Sequence, residues 1–398
     1  MAERPDRRSA PASVLDGAVP PGRDLAVDAL RALAVLGVVL GHWLVTALTW
    51  HDGGLSTASP LAHLPWLTPV SWVFQTLAVF FLVGGRVAAT GYASARRRGI
   101  PYRTWVGLRL RRLFGPVAAV LALWTVVAGG MLVGGAEWDT VRTLVRLVLS
   151  PLWFLLVFAA LTAATPLVAR MSPLWPLAVV AGVDLWRFGL GGPEWLGWVN
   201  VAAGWLVPFA LGAARARGGF VRRGRLVVLA VTAAAATAAL VLLGGYPASM
   251  VGVPGAAVSN LNPPTLAAVT FGLAQCALAL LAAPRLERAM RRPAVRTPVT
   301  LVNLSAMTLF LWHQTALMAV TALGLLVSAD LPGLHTAPVS AGWVAARLLW
   351  LPVFAAVLGL CWAAFRFHEQ SGVRGRGSSI APNSAVPPRT SAKESTHA

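Results

Sequence analysis

The chain of 398 residues is poor in charged residues and in cysteine. Only 12% of its residues are charged, 14 of them acidic, whereas soluble domains carry about a quarter. This shortage excludes a cytosolic enzyme, a secreted module and a disordered protein. The two cysteines, Cys276 and Cys361, lie in separate apolar runs and predict neither a disulfide framework nor a metal site. The sequence also has no glycine-rich phosphate loop.

Apolar residues, in contrast, are abundant: 57% of the chain is hydrophobic and its mean hydropathy is +0.68. A membrane-spanning helix needs about 20 mostly apolar residues, whereas barrel strands are half as long and alternate in polarity. The sequence therefore predicts an all-α integral membrane protein, a polytopic bundle of ten transmembrane helices. The predicted spans are Ala26–Leu48, Val70–Ala93, Phe114–Gly135, Pro151–Ala169, Pro173–Leu190, Trp195–Ala214, Leu226–Gly244, Thr265–Ala283, Leu301–Val327 and Gly342–Phe365.

The basic residues predict the orientation of this bundle. Of 33 in all, 27 lie in the two tails and in the connections 2–3, 4–5, 6–7 and 8–9. Basic connections face the cytoplasm, so both termini are predicted there and the charge needs no nucleic-acid partner. The predicted domains are a cytoplasmic tail at 1–25, the ten-helix membrane domain at 26–366 and a disordered cytoplasmic tail at 367–398. The predicted location is the cell (plasma) membrane.

Three ionisable residues of the first span share one helical face. Arg31 and His42 are eleven residues apart, which brings them within about 20° of one line and separates them by about 16 Å along the axis. Asp28 lies within about 40° of the same line. Such groups in a span usually mark a function or a buried pairing. A juxtamembrane anchor formed by Asp28 and Arg31, and a structural hydrogen bond from His42, are the alternatives.

The ninth span is unusually polar, since it carries Asn303, Ser305, His313 and Gln314. It runs in the same predicted direction as the first span, so His313 is expected at a depth close to that of His42. Two imidazoles at one depth can line one cavity, one as a base and one as a polarising group. Interhelical hydrogen bonding is the alternative.

Two further charged pairs lie towards the predicted outer side. Asp184 and Arg187 of the fifth span are three residues apart and predict an intrahelical pair, for which a purely structural role is the alternative. Arg142 and Arg146 are four apart in the connection before the fourth span and share a face.

Two connections suggest ligand contacts. The loop Gly244–Thr265 is long, uncharged and rich in Gly, Pro, Ser and Asn, which suits a re-entrant or lid loop. Its Tyr246 and Asn260 can hydrogen-bond a hydroxylated acceptor. On the cytoplasmic side, Arg109 and Arg112 can grip a phosphorylated ligand such as CoA by bidentate hydrogen bonds. Contacts of these arginines with anionic headgroups are the alternative.

Five motifs, in this order, resemble those of the type-3 membrane acyltransferases, ten-helix enzymes that O-acylate glycans, lipids or natural products. The first is Arg, ten residues and His, matched by Arg31 and His42. The family's Phe-Phe-x-x-Ser-Gly motif is present with Gly84 in place of the serine. The other matches are Arg109 and Arg112 before Pro116, Trp153-Phe154-Leu155 and Leu311-Trp312-His313. The loop Tyr246–Gly255 resembles a subgroup found in GC-rich bacterial genomes.

The resemblance implies transfer of an acyl group, with acetyl expected, from cytoplasmic acyl-CoA as co-substrate to a hydroxyl of a glycan, lipid or small molecule. Membrane lipid is the other expected partner, and no permanently bound cofactor or metal is expected. His42 then acts as general base or covalent acyl carrier. The implied catalytic residues are His42, Arg31, Asp28 and His313. The implied ligand contacts are Arg103, Arg109 and Arg112 for CoA, and Asp184, Arg187, Trp153, Arg142, Arg146, Tyr246 and Asn260 for the acceptor.

The competing function is a transporter or flippase without covalent chemistry. Ten helices with charged residues near the membrane midplane also suit transport. That function predicts inverted repeats and helices broken within the membrane, and the sequence shows no convincing repeat.

Overall fold

The structure is a computed structural model that describes residues 24–51, 54–218 and 222–365. Most of these residues are helical, and two short strands form a single hairpin among them. The predicted all-α polytopic class is therefore confirmed. The predicted disordered tail at 367–398, and all but the last two residues of the predicted tail at 1–25, lie outside the described residues.

The helices and strands follow one another along the chain with short connections. Short 3-10 or π turns, at Pro65–Leu67, Leu185–Gly189 and Glu194–Trp198, extend or link some of them. In chain order the elements are α1 (Leu25–Val45), β1 (Ala47–His51), β2 (Gly54–Ala58), α2 (Pro60–His63), α3 (Thr68–Ser71), α4 (Leu77–Arg97), α5 (Tyr102–Val133), α6 (Trp138–Leu149), α7 (Leu152–Ala163), α8 (Thr165–Val168), α9 (Leu174–Asp184), α10 (Val199–Ala216), α11 (Arg223–Leu242), α12 (Leu266–Met290), α13 (Pro293–Leu304), α14 (Ala306–Leu325) and α15 (Ala341–Phe365).

Within the described ranges, nine helical segments are long and apolar enough to cross a membrane. They correspond to all the predicted spans except the fifth, Pro173–Leu190. That segment folds as the 11-residue helix α9 followed by the π turn Leu185–Gly189. Glycine and proline stop it there: Gly191 has a φ of +66°, and Pro193 cannot continue a helix. The count of ten spans and the cytoplasmic placement of both termini stay predictions.

The start of α1 is fixed by a capping residue, and its end lies before the predicted position. Asp24 caps the first turn, since its carboxylate accepts a hydrogen bond of 3.1 Å from the backbone N–H of Val27, and it also pairs with Arg86 of α4. The helix ends at Val45, three residues before the predicted end at Leu48. Leu48 belongs instead to β1, where it is fully buried against the bundle.

Helices α4 and α10 cross in direct backbone contact. A Cβ added at Gly85 would collide with the carbonyl oxygen of Phe209, and one added at Gly212 would collide with that of Leu82. Small residues allow this close approach, which is typical of helix packing in membranes. The crossing places α4 at the centre of the bundle, where it also packs against α1 and α12.

Helix α1 runs parallel to α13 and α14. Three side-chain contacts join them, at sequence separations of 272, 270 and 272 residues; nearly constant separations require parallel helices in register. The predicted ninth span, Leu301–Val327, is divided at Ser305, where the backbone leaves the helical conformation. Residues eleven apart on α1 consequently meet residues eleven apart on α13 and α14.

Candidate active site

The structure brings His42 of α1 and His313 of α14 together. Their ring centroids are 5.0 Å apart, with the planes tilted by 43°. His313 is fully buried, and its Nδ1 lies 2.6 Å from the carbonyl oxygen of Phe310. Because a carbonyl only accepts, Nδ1 carries the proton in the neutral ring and Nε2 keeps its lone pair. That Nε2 is buried with no hydrogen-bond partner among the described residues.

Gln314 of α14 contacts one member of the histidine pair. Its Nε2 lies 3.2 Å from Nδ1 of His42, and its Oε1 is buried with no hydrogen-bond partner in the described part of the chain. An amide nitrogen donates, so in this orientation the proton of neutral His42 is on Nε2. A half-turn of the amide would present Oε1 instead and would favour the other tautomer. Gln314 can therefore serve His42 in either tautomer.

A second contact of α1, towards its start, joins it to α13. Arg31 donates from Nε to Oδ1 of Asn303 at 2.6 Å and from Nη2 to the backbone oxygen of Asn303 at 3.2 Å. Nδ2 of Asn303 in turn donates to the backbone oxygen of Asp28 at 2.8 Å. Asn303 is in the last turn of α13, where a cation is favoured by the helix dipole. Asp28 and Arg31 thus meet at Asn303 and fix α1 to α13.

Replacing Asn303 by alanine should lower the free energy of unfolding by about 1–3 kcal/mol. The side chain of Asn303 is buried, and its loss removes the bond from Nε of Arg31 and the bond to the backbone oxygen of Asp28. The midpoint of thermal unfolding of the detergent-purified protein measures this loss. Leu304→Ala is the control, since the neighbouring Leu304 is 64% exposed. Equal midpoints for the two variants would contradict the role of Asn303.

The predicted CoA contacts lie on the first turns of α5. Arg103 and Arg112 are exposed, and Arg109 is half-buried. The guanidinium of Arg109 lies over the ring of Trp105, 4.9 Å from its centroid, and Nη2 donates weakly to the backbone oxygen of Val87 at 3.5 Å. Arg103 and Arg112 therefore have free access to a ligand, whereas Arg109 is held against α4.

Asp184 accepts the hydrogen bonds at the centre of a separate cluster of side chains. It is 1% exposed. Its Oδ1 accepts from Nδ2 of Asn200 at 2.9 Å, and its Oδ2 accepts from the Tyr246 hydroxyl at 3.1 Å and from the Leu266 N–H at 2.6 Å. Arg187 forms the predicted pair with it at 3.9 Å. Burial and then the neighbouring carboxylate raise the pKa of Tyr246 above its usual range, so its hydroxyl stays a donor. This cluster joins α9, α10, α12 and the loop before α12.

Asn260 holds that loop together from within and is fully buried. Its Nδ2 donates to the backbone oxygens of Pro247 and Ser249 at 2.5 and 3.0 Å, and its Oδ1 accepts from the Thr265 hydroxyl at 2.5 Å. Met250 at the loop's centre is also fully buried. Both donor hydrogens of Asn260 are used inside the loop, so a contact of Asn260 with the hydroxylated substrate would require breaking these bonds.

The remaining predicted acceptor contacts occupy different surroundings. Trp153 of α7 is half-buried, with its ring 6.2 Å from that of Trp205. Arg142 and Arg146 are exposed on the polar face of α6, whose opposite face is buried in the bundle. Arg142 and Arg146 do share a face, as their spacing predicts.

The glycine that replaces the family serine has a structural reason. A Cβ at Gly84 would collide with the ring of Phe158 of α7. Phe158 also packs against Phe80 and Phe81, at centroid distances of 5.3 and 5.9 Å. In this chain an aromatic ring therefore occupies the space that a serine side chain would need.

The sequence analysis predicts no role for Trp43 and Arg347, two residues that lie beside the histidine pair. Trp43 donates from its indole to the backbone oxygen of His313 at 2.9 Å, and Arg347 of α15 donates to the backbone oxygen of Trp43 at 2.7 Å. A signal for Arg347 exists, because a charged residue in an apolar span marks a function or a buried pairing. Trp43 has no comparable signal in the local sequence.

The comparisons with known proteins agree with the motif pattern. A family model described as an acyltransferase domain, that of the type-3 acyltransferases, matches residues 24–366. Searches of the curated proteins and of the solved structures give no significant match. The matched range includes the histidine pair, the Arg31–Asn303 contact and the α5 arginines. With most of its length matched, the chain belongs to the type-3 membrane acyltransferase family.

Proposed function

We propose that this membrane acyltransferase moves an acyl group, with acetyl expected, from cytoplasmic acyl-CoA to a hydroxyl of a glycan, lipid or small molecule at the outer side of the cell (plasma) membrane. The observation that carries the proposal is the pair His42 and His313, with ring centroids 5.0 Å apart. One of its nitrogens, Nε2 of His313, is buried without a hydrogen-bond partner among the described residues.

The two rings supply the two functions that acyl transfer needs. Nε2 of His313 takes the proton of the acceptor hydroxyl while that oxygen attacks the thioester carbonyl carbon. A C–O bond forms, the C–S bond breaks, and the imidazolium returns the proton to the leaving thiolate. The Nε2–H of His42 donates to the carbonyl oxygen, where negative charge develops. The pair carries at most one positive charge in this cycle, since two close cations repel strongly in a low dielectric.

Gln314 decides which ring is the base. When the amide nitrogen of Gln314 faces His42, His313 is the base and His42 is the polarising donor. With its amide oxygen towards His42, Nε2 of His42 has the lone pair and can act as base or covalent acyl carrier. Mixing the protein with acyl-CoA and then quenching with acid distinguishes the carrier mechanism from both base mechanisms, because only the carrier mechanism adds the mass of an acyl group to the peptide containing His42.

The donor is proposed to bind at the cytoplasmic ends of α1 and α5. Arg103 and Arg112 are exposed and suit bidentate contacts with CoA phosphates, and Arg109 borders them. Arg31 lies about 16 Å along α1 from His42, a distance that the pantetheine arm of CoA can bridge. Arg31 itself is engaged with Asn303, so its proposed role is to shape the donor path as well as to contact the donor.

The acceptor is proposed to approach from the opposite side. Arg142 and Arg146 are exposed on α6. Together with Trp153, they are the residues proposed to contact the acceptor. Asp184 and Asn260 are buried and bonded within the protein, so we assign them to fixing the loop before α12. Tyr246 and Arg187 belong to the same cluster as Asp184.

The test uses the full chain in sealed proteoliposomes with acetyl-CoA labelled in the acetyl group on one side. An extract of envelope glycans, lipids and metabolites is present on the other side. We expect CoA thiol release and label bound covalently to an extracted molecule, both dependent on His42 and His313. Label that crosses without CoA release would instead support the transporter, and CoA release without a labelled acceptor would limit the activity to hydrolysis.

A further inference from the structure

Arg347 is a buried cation that reaches the end of α1. It is 1% exposed; its Nε donates to the backbone oxygen of Trp43 at 2.7 Å, its Nη2 to that of Thr46 and its Nη1 to that of Gly333 at 3.0 Å. The last carbonyls of a helix lack donors within the helix, and a cation there is stabilised by the helix dipole. Arg347 therefore fixes the turn of α1 that carries His42.

The guanidinium itself is held rigidly. Its Cζ lies 4.8 Å from the ring centroid of Phe354 and 5.4 Å from that of Trp343. Gly333, with a φ of +73°, turns the loop before α15 so that its carbonyl meets Arg347. A planar fork with fixed donor directions serves these three carbonyls, whereas the single ammonium of a lysine does not.

Trp43 continues the connection to the second histidine. Its Nε1 donates to the backbone oxygen of His313 at 2.9 Å, and its ring lies 5.5 Å from that of Phe354. The side chain is 3% exposed. A chain of hydrogen bonds thus runs from Arg347 through Trp43 to His313 and joins α15, α1 and α14 beside the histidine pair.

We propose that Trp43 and Arg347 are positioning residues that hold His42 and His313 at the separation acyl transfer requires. The inference rests on the proposed function. Neither residue donates or accepts a proton in the reaction, so both act only through the placement of the two rings. A misplacement of about 1 Å lowers a rate by about 100-fold, whereas substrate binding elsewhere is unaffected. The expected signature is a lower kcat with an unchanged KM for donor and acceptor.

The first test compares tryptophan substitutions. Trp43→Phe removes the N–H and keeps an aromatic ring against Phe354, and we expect kcat to fall by about 10- to 100-fold at constant KM. Trp350→Phe is the matched control. The indole N–H of Trp350 of α15 also donates to a backbone oxygen, that of Pro332 at 3.1 Å, but this bond is exposed. Arg347→Lys should lower kcat at least as much as Trp43→Phe. Wild-type kcat in Trp43→Phe, or an equal loss in Trp350→Phe, would overturn the proposal.

A second readout measures the placement itself. His42→Cys and His313→Cys are combined in a chain whose natural cysteines are replaced (Cys276→Ala and Cys361→Ala), and a short bifunctional thiol reagent joins the two positions. Mass spectrometry of the joined peptides gives the yield, which Trp43→Phe should lower and Trp350→Phe should leave unchanged.

This cross-linking requires no substrate, so it separates the two proposals. A yield that Trp43→Phe does not change overturns the positioning role even if acyl transfer is observed. A wild-type protein that transfers no acyl group to any acceptor, while its cysteine variant cross-links in a Trp43-dependent way, overturns the proposed function instead. Should Arg347→Lys fail to accumulate, Trp43→Phe decides both measurements.

Discussion

His42→Ala should lower the rate of acyl transfer by about 100- to 10,000-fold, a range that covers the loss of a donor to the developing oxyanion and the loss of a positioned base. The loss should appear in kcat, because His42 acts on the reacting atoms and not on the distant parts of CoA. CoA thiol release in proteoliposomes measures it. His63→Ala is the matched control, since His63 lies exposed on α2 and should leave the rate unchanged.

His313→Ala should cause a loss of similar size, and the double variant should be little worse than either single one. Groups that act as one unit are strongly non-additive, because the base and the donor to the carbonyl oxygen stabilise the same transition state and each depends on the other. A double variant whose loss equals the product of the two single losses would contradict a pair. A His42→Ala enzyme with the wild-type rate would remove His42 from the chemistry altogether.

The second large effect concerns stability. Asp184→Ala should lower the free energy of unfolding by about 3–5 kcal/mol, as expected when one member of a buried charged network is removed. The side chains of Asn200 and Tyr246 and the N–H of Leu266 would all lose their acceptor, and Arg187 would lose its counter-charge. The midpoint of thermal unfolding in detergent, measured by the fraction that remains monodisperse after heating, reports this change.

Two comparisons make this measurement specific. Asp330→Ala removes an exposed carboxylate and should leave the midpoint nearly unchanged. Asp184→Ala should also expose the loop before α12 to protease, because Tyr246 and Leu266 anchor its two ends. Unchanged proteolysis together with an unchanged midpoint would show that Asp184 does not hold this loop.

Local sequence patterns were sufficient for several features of the site. Apolar run lengths predicted the membrane helices, and the period of the α-helix placed Arg31 and His42 on one face. The arginine distribution gave α1 and α14 the same direction. That direction is why His313 was expected at the depth of His42, and the 5.0 Å between the rings agrees with it.

Contacts between distant segments could not be predicted in the same way. Helical periodicity specifies a face but not the helix that covers it, so the bonds from Arg31 to Asn303 and from Trp43 to His313 had no local signal. The break at Ser305 had no local signal either, since residues 301–315 contain neither glycine nor proline. The sequence suggested Asn260 as a ligand contact, because the carbonyls of Pro247 and Ser249 that it bonds belong to the backbone and leave no pattern in the sequence.

The parallel register of α1 with α14 has a consequence for biosynthesis. His42 leaves the ribosome 271 positions before His313, and Arg347 follows later still. A nascent chain therefore has no assembled histidine pair until α14 is inserted. Premature termination before α14 would release a product that lacks His313 and therefore lacks the pair that the proposed acyl transfer requires.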